Sequence, residues 1–166
     1  MKNYSFILIA LSLLFVSCGK PSVDEWSRFY GFTQADIIGH YEANPDESIY
    51  QELPTEGATV YNTAAIDISA VGNTAISLHI VIPGTINKTF SGPLDTQEED
   101  RSDVVLTNVI SNREKEDVMM TVYKNEQGQV RFHGRVKHYH YRYDSETEQY
   151  YLHHSENWGF DVLKAE

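Results

Sequence analysis

The chain contains one cysteine, Cys18, in 166 residues. One thiol can form no internal disulfide and cannot build a zinc site from thiolates, so the domain must fold on its hydrophobic core. Basic residues are also scarce: 13 Lys and Arg stand against 24 Asp and Glu, a formal net charge of −11. Phosphate backbones repel a chain of that sign, which argues against nucleic acid as a partner. Beyond the N-terminus no segment approaches the about 20 consecutive apolar residues that a spanning helix needs. There is no Gly-x-Ser-x-Gly elbow, and no spacing ties a serine to a histidine, so nucleophilic catalysis has little support and a non-enzymatic role is expected.

The N-terminus is where the apolar residues gather. Met1-Lys2-Asn3 precedes an apolar run from Phe6 to Val16, followed by Ser17-Cys18-Gly19-Lys20. This is the layout of an export signal over residues 1–17. Phe15-Val16-Ser17-Cys18 resembles the lipobox of bacterial lipoproteins. The resemblance implies that Cys18 is lipidated, becomes the first mature residue and holds the chain to the lipid bilayer of the cell envelope. Gly19 after the cysteine is compatible with the outer membrane, on its periplasmic face or at the cell surface. Two or more acyl chains, at ~0.8 kcal/mol per buried CH₂, suffice for stable anchoring. Residues 18–22 then form a short tether and residues 23–166 one domain. Lys2 is the only charge in the leader, so the mature chain keeps 12 basic residues against 24 acidic ones.

The domain reads as mostly strand. Ser22-Val23-Asp24-Glu25 has the form of a capping box, and Trp26, Phe29 and Tyr30 at i, i+3, i+4 predict a short helix ended by Gly31. Strands are predicted over 36–43, 59–71, 74–82, 85–91, 104–110, 118–124, 129–143 and 149–164. Between 59 and 71, Val60, Ala64, Ile66, Ile68 and Ala70 share one face; after a Gly72-Asn73 hairpin turn, Ile76, Leu78, Ile80 and Ile82 face the same core. An acidic loop over 95–103 has the charge of a calcium loop without its glycine or ligand spacing. About eight antiparallel strands in succession favour an all-β up-and-down barrel with a short N-terminal helix, with a β-sandwich as the alternative.

The short aromatic helix leading into Gly39-His40-Tyr41, followed by consecutive hairpins, resembles the lipocalin-like (calycin-type) barrels. More narrowly, it resembles the small lipocalin-like lipoproteins of Bacteroidetes, many of them of unknown function. The Gly-x-Trp of that class maps onto Gly39-His40-Tyr41, with Tyr41 in the tryptophan's place. The resemblance implies a barrel, open or filled, and no catalytic residue.

Candidate binding residues concentrate in the last two strands. Residues 131–142 read Arg-Phe-His-Gly-Arg-Val-Lys-His-Tyr-His-Tyr-Arg, a basic strand in an acidic protein. His138 and His140 fall on one side of it. If Tyr143 pairs with Tyr150, His140 lies opposite His153, and a one-residue slip puts His138 opposite His154 instead. Either register gathers three imidazoles, with Cβ atoms of opposed residues about 4.5–5.5 Å apart. That makes His138, His140, His153 and His154 a candidate zinc or copper site, with polar residues on a solvated sheet face as the plain alternative.

Strand parity raises a further choice. Val130, Phe132, Gly134 and Val136 share the core face, and the same parity continues through His138, His140 and Arg142. Either a β-bulge near Lys137 turns Tyr139 and Tyr141 inward, which the cost of burying three cationic side chains favours, or the strand runs past the core into a polar opening. His138, His140 and Arg142 would there meet a carboxylate or phosphate head group. The expected function is non-enzymatic binding of a small hydrophobic or amphipathic ligand, with Phe132, Tyr139, Tyr141 and Trp158 as further contacts and no cofactor. A closed barrel that docks onto an envelope protein partner, or a metal-binding protein, are the alternatives.

Overall fold

The computed structural model of the chain describes residues 26–44, 59–61, 63–94 and 100–166. The leader, Cys18, the tether, the Ser22–Glu25 box and most of the acidic loop lie outside these residues. The fold is all-β. Among the described residues ten strands form one sheet: β1 (Ser27–Arg28), β2 (Gly39–Ala43), β3 (Thr59–Tyr61), β4 (Ala65–Val71), β5 (Ala75–Ile82), β6 (Ile86–Pro93), β7 (Asp103–Ser111), β8 (Glu114–Lys124), β9 (Val130–Asp144) and β10 (Gln149–Lys164). One four-residue helix, α1 (Gln34–Ile37), precedes β2.

Strands β7 to β10 pair in succession, β10 pairs with β2, and β2 continues through β4 and β5 to β6, all antiparallel. This is the up-and-down order expected from the sequence. The sheet is not closed: β6 and β7 lie together without a ladder, and side chains bridge the seam. Asn108 Nδ2 donates to the Thr89 carbonyl at 2.9 Å. The short β3 runs parallel beside β10, with Thr59 opposite Trp158.

Alternation built the core. In β5 every second residue (Ile76, Leu78, Ile80, Ile82) is buried, and Ile66, Ile68, Phe90, Leu106, Val118, Phe132 and Phe160 meet them from the other strands. Tyr41, Phe90, Phe132 and Phe160 have no accessible surface, so no water-sized space touches them. Each such burial is worth roughly 1.5–3 kcal/mol. Tyr41 packs on Phe132 with ring centroids 4.6 Å apart and donates its hydroxyl to the Ile37 carbonyl. Gly72 and Gly84, at φ of 61° and 75°, occupy the left-handed region in the turns on either side of β5.

Three expectations about local structure are corrected. Trp26–Tyr30 is not helical: Ser27–Arg28 pairs with Tyr123–Lys124, because β7 stops pairing at Thr121 and leaves the end of β8 an open edge. Gly31 does adopt a left-handed φ of 62°. The helix forms later, where the Asp36 carboxylate accepts bonds from the Thr33 amide and hydroxyl. The strand expected over 59–71 has a turn at Thr63. Finally, β9 has no bulge near Lys137, since its ladder with β8 runs unbroken from Lys124–Val130 to Glu114–His140. The parity therefore continues: His138 and His140 stay on the inner face, and Tyr139 and Tyr141 on the outer one. The expected cost of burying cations is avoided because carboxylates sit opposite the histidines and Arg142, in the hairpin end of the ladder, is exposed.

Candidate functional site

Strands β8, β9 and β10 outrun the apolar core. Their inner-face residues change there from Val118, Val136 and Trp158, which form one row, to two polar rows. Glu116, His138 and Glu156 stand opposite one another across the three strands. The next row outward is Glu114, His140 and His154. Six ionisable side chains thus cap a packed interior, with half-buried Trp158 beneath them.

A bulge sets the last position. Tyr143 pairs with Tyr150 as the sequence suggested, but the ladder shifts between Leu152 and His154. His153 occupies that bulge, and His154 comes opposite His140. The first register therefore holds only as far as Leu152, and the alternative, with His138 opposite His154, does not form: His138 pairs with Glu156. His153 remains close, 5.3 Å from His154 between ring centroids, and burial, with Arg142, His154 and His140 nearby, holds its pKa below the usual histidine value.

The three inner imidazoles form a stack. His140 lies between His138 (centroids 4.1 Å, interplanar angle 30°) and His154 (4.2 Å, 13°). The Nε2 atoms of His138 and His140 are buried and have no hydrogen-bond partner among the described residues. The Nδ1 of His138 faces Glu116 Oε1 at 3.6 Å, and Glu116 is held by an ion pair with Lys88, which reaches in from β6 across the seam. Ligand atoms of Glu114, His138 and His140 all lie within 4.8 Å of one another, as do those of His140, His154 and Glu156.

The other sequence candidates fall elsewhere. Phe132 is sealed in the core, so it contacts no ligand from there. Arg142 is exposed past the inner-face rows. Tyr139 and Tyr141 face outward, where Lys137 and Lys115 sit 4.7 and 5.3 Å from the Tyr139 ring centroid. Burial, and then Asp117, raises the Tyr139 pKa. The exposed tip of the β9–β10 hairpin carries Tyr143, Tyr150, Tyr151 and Leu152.

Sequence reasoning missed Glu114, Glu116, Glu156 and Lys88. Arg113–Glu116 reads as a charged turn, yet the turn is Asn112–Arg113 and β8 begins at Glu114. The available signal was parity: Glu114 and Glu116 lie in step with Val118, Met120 and Val122. Two further polar groupings were also missed. On the outer face, buried Asp161 accepts from Arg131 Nε, Asn44 Nδ2 and His133 Nδ1, each at 2.9 Å, tying β9, β10 and the end of β2 together. Elsewhere, exposed His40 Nδ1 lies 2.6 Å from Asp67, and that hydrogen bond raises the His40 pKa.

Among the described residues no helix is long and apolar enough to cross a membrane. No protein-family model, no curated protein and no solved structure matches the chain.

Proposed function

We propose that this chain is a non-catalytic binding protein, held to the cell envelope by lipid on Cys18, that takes a small polar or charged ligand at the mouth formed by β8, β9 and β10. One observation carries the proposal: the inner face turns from apolar to ionisable over two complete cross-strand rows and leaves two buried imidazole nitrogens unpartnered. Burying polar groups without partners costs free energy, so such a cluster is poor as a mere core element. The filled interior moves the expected ligand from the barrel's centre to this rim. Chain direction fits an anchor at the N-terminus. β1 joins β8 at Tyr123–Lys124, whereas the mouth is at Glu114. Ten residues of strand, about 33 Å at ~3.3 Å per residue, separate them. The mouth thus opens at the end of the sheet away from β1, the first described strand.

Native mass spectrometry of the full chain tests both parts, with the protein made in an exporting host and kept in detergent. The expected spectrum shows an N-terminal mass of acylated Cys18 and a small adduct lost in His140→Phe. An unprocessed leader would overturn the anchor. A lipid-mass adduct that survives His140→Phe would place binding in the barrel and overturn the mouth.

A further inference from the structure

We infer that the mouth is a site for one divalent transition-metal ion of the zinc and copper type, with Glu114, His138 and His140 as its protein ligands. This rests on the mouth being the binding site and names what it binds.

The chemistry of the donors selects the class. Imidazole nitrogens with a carboxylate oxygen suit zinc, copper, iron and nickel, whereas calcium and magnesium prefer all-oxygen shells. The two candidate sets share His140, and a ring nitrogen that ligates one ion is not available to a second, so we assign one ion to the mouth. Burial decides between the sets. All three members of the Glu114 set are half-buried, whereas His154 and Glu156 are exposed. The two residues that carry unpartnered nitrogens, His138 and His140, both belong to the favoured set.

The surrounding groups are also arranged for a ligand. Metal-bound histidines usually direct the second ring nitrogen at a carboxylate, which fixes the tautomer and orientation. His138 has this arrangement: its Nδ1 faces Glu116, while its Nε2 has no protein partner. Glu116 is itself immobilised by Lys88 and buried, with a 4 % exposed side chain. Lys88 offsets one negative charge, so the mouth keeps Glu114 available without gathering three unpaired carboxylates. Glu116 is therefore a positioning residue rather than a ligand. Ion separations fit: atoms now within 4.8 Å of each other need only small side-chain rotations to sit about 2.0–2.2 Å from a shared zinc.

The histidines outside this set serve as internal controls. His40 and His79 flank Asp67 on another part of the sheet, 2.6 and 4.0 Å from its oxygens. His133 is tied to Asp161 through its Nδ1. None of them belongs to a three-ligand group among the described residues.

The test is a titration of the chelator-treated full chain in detergent with zinc and, separately, cobalt(II), read by calorimetry, by cobalt absorption and by imidazole ¹⁵N resonances. One equivalent of zinc is expected, with Nε2 of His138 and His140 shifting on binding. His140→Phe, which keeps a ring in the stack, should weaken zinc at least about 100-fold, and His153→Ala by less than about threefold. Glu116→Gln should cost about 10-fold while leaving cobalt bands in place, as expected for a residue that only orients a ligand. Zinc uptake unchanged in both His138→Ala and His140→Phe overturns the assignment, as does uptake lost in His40→Gln. Acetate and inorganic phosphate provide the discriminating arm. If zinc leaves the mouth imidazoles unmoved but either anion shifts them, the metal is wrong and the mouth remains the site. If zinc and both anions leave them unmoved, both proposals fall.

Discussion

Replacing His140 by phenylalanine should stabilise the metal-free protein and destabilise it relative to wild type once zinc is present. The ring at 140 stacks between His138 and His154 at 4.1 and 4.2 Å, and phenylalanine preserves that packing. What it removes is a buried Nε2 without a partner. An unsatisfied buried polar group costs about 1–3 kcal/mol. Taking the lower end, because the half-buried ring keeps partial solvent access, the variant gains about 1 kcal/mol in chelator. For a chain of this size that is a rise in Tm of about 2–4 °C. Zinc at 100 times its wild-type Kd would add about 2.7 kcal/mol to wild type and at most about 0.4 kcal/mol to a variant that binds it 100-fold more weakly. The order of stability therefore reverses, with wild type ahead by roughly 1–2 kcal/mol when zinc is bound. Urea unfolding followed by tryptophan fluorescence, with and without chelator, reads both signs. A variant less stable than wild type in chelator would refute the reasoning, because the imidazoles would then be ordinary structural elements.

Other perturbations follow from the packing. Asp161→Asn should lower stability by about 3–5 kcal/mol in the same unfolding assay, because it leaves the buried Arg131 guanidinium without its counter-charge; Arg131 is 5 % exposed and Asp161 is fully buried. Gly134→Ala should cost about 1–3 kcal/mol or more by calorimetric Tm, since an added Cβ would lie 2.3 Å from the Met119 carbonyl and 2.7 Å from Met120 Cβ. Asp67→Asn should remove a pH dependence: the raised His40 pKa contributes stability that is fully present below about pH 6.5 and is lost as pH rises through the folded value. Wild type should therefore exceed the variant at pH 5.5, with the gap closing by pH 8, and an equal gap at both values would contradict the His40–Asp67 assignment.

Much of the sheet was legible because its signals are local. The alternation of β5, the glycines that bound it and the parity of Val130 to Val136 all act within a few residues. Tyr41, in the short strand after Gly39, is buried. What escaped depends on partners distant in sequence. Ser27–Arg28 became a strand because the end of β8 needed an edge partner about 95 residues later, against a helical aromatic spacing. The inner-face position of Glu114 and Glu116 is visible only once β8 is known to start inside the charged run. The cost assigned to inward histidines assumed that nothing would face them, yet Glu116 and Glu156 flank His138 on the two neighbouring strands. The position of His154 depends on a single bulge at His153, which no periodicity announces.

The most direct test of the mouth as the binding site is a long-range ¹H–¹⁵N correlation spectrum of the imidazoles in the full chain. It is recorded on protein isolated from its exporting host and again after dialysis against chelator. The ring nitrogens of His138 and His140 should differ between the two samples, while those of His40, His79 and His133 stay in place. Unchanged resonances at 138 and 140, with changes at His40 or His79 instead, would contradict it.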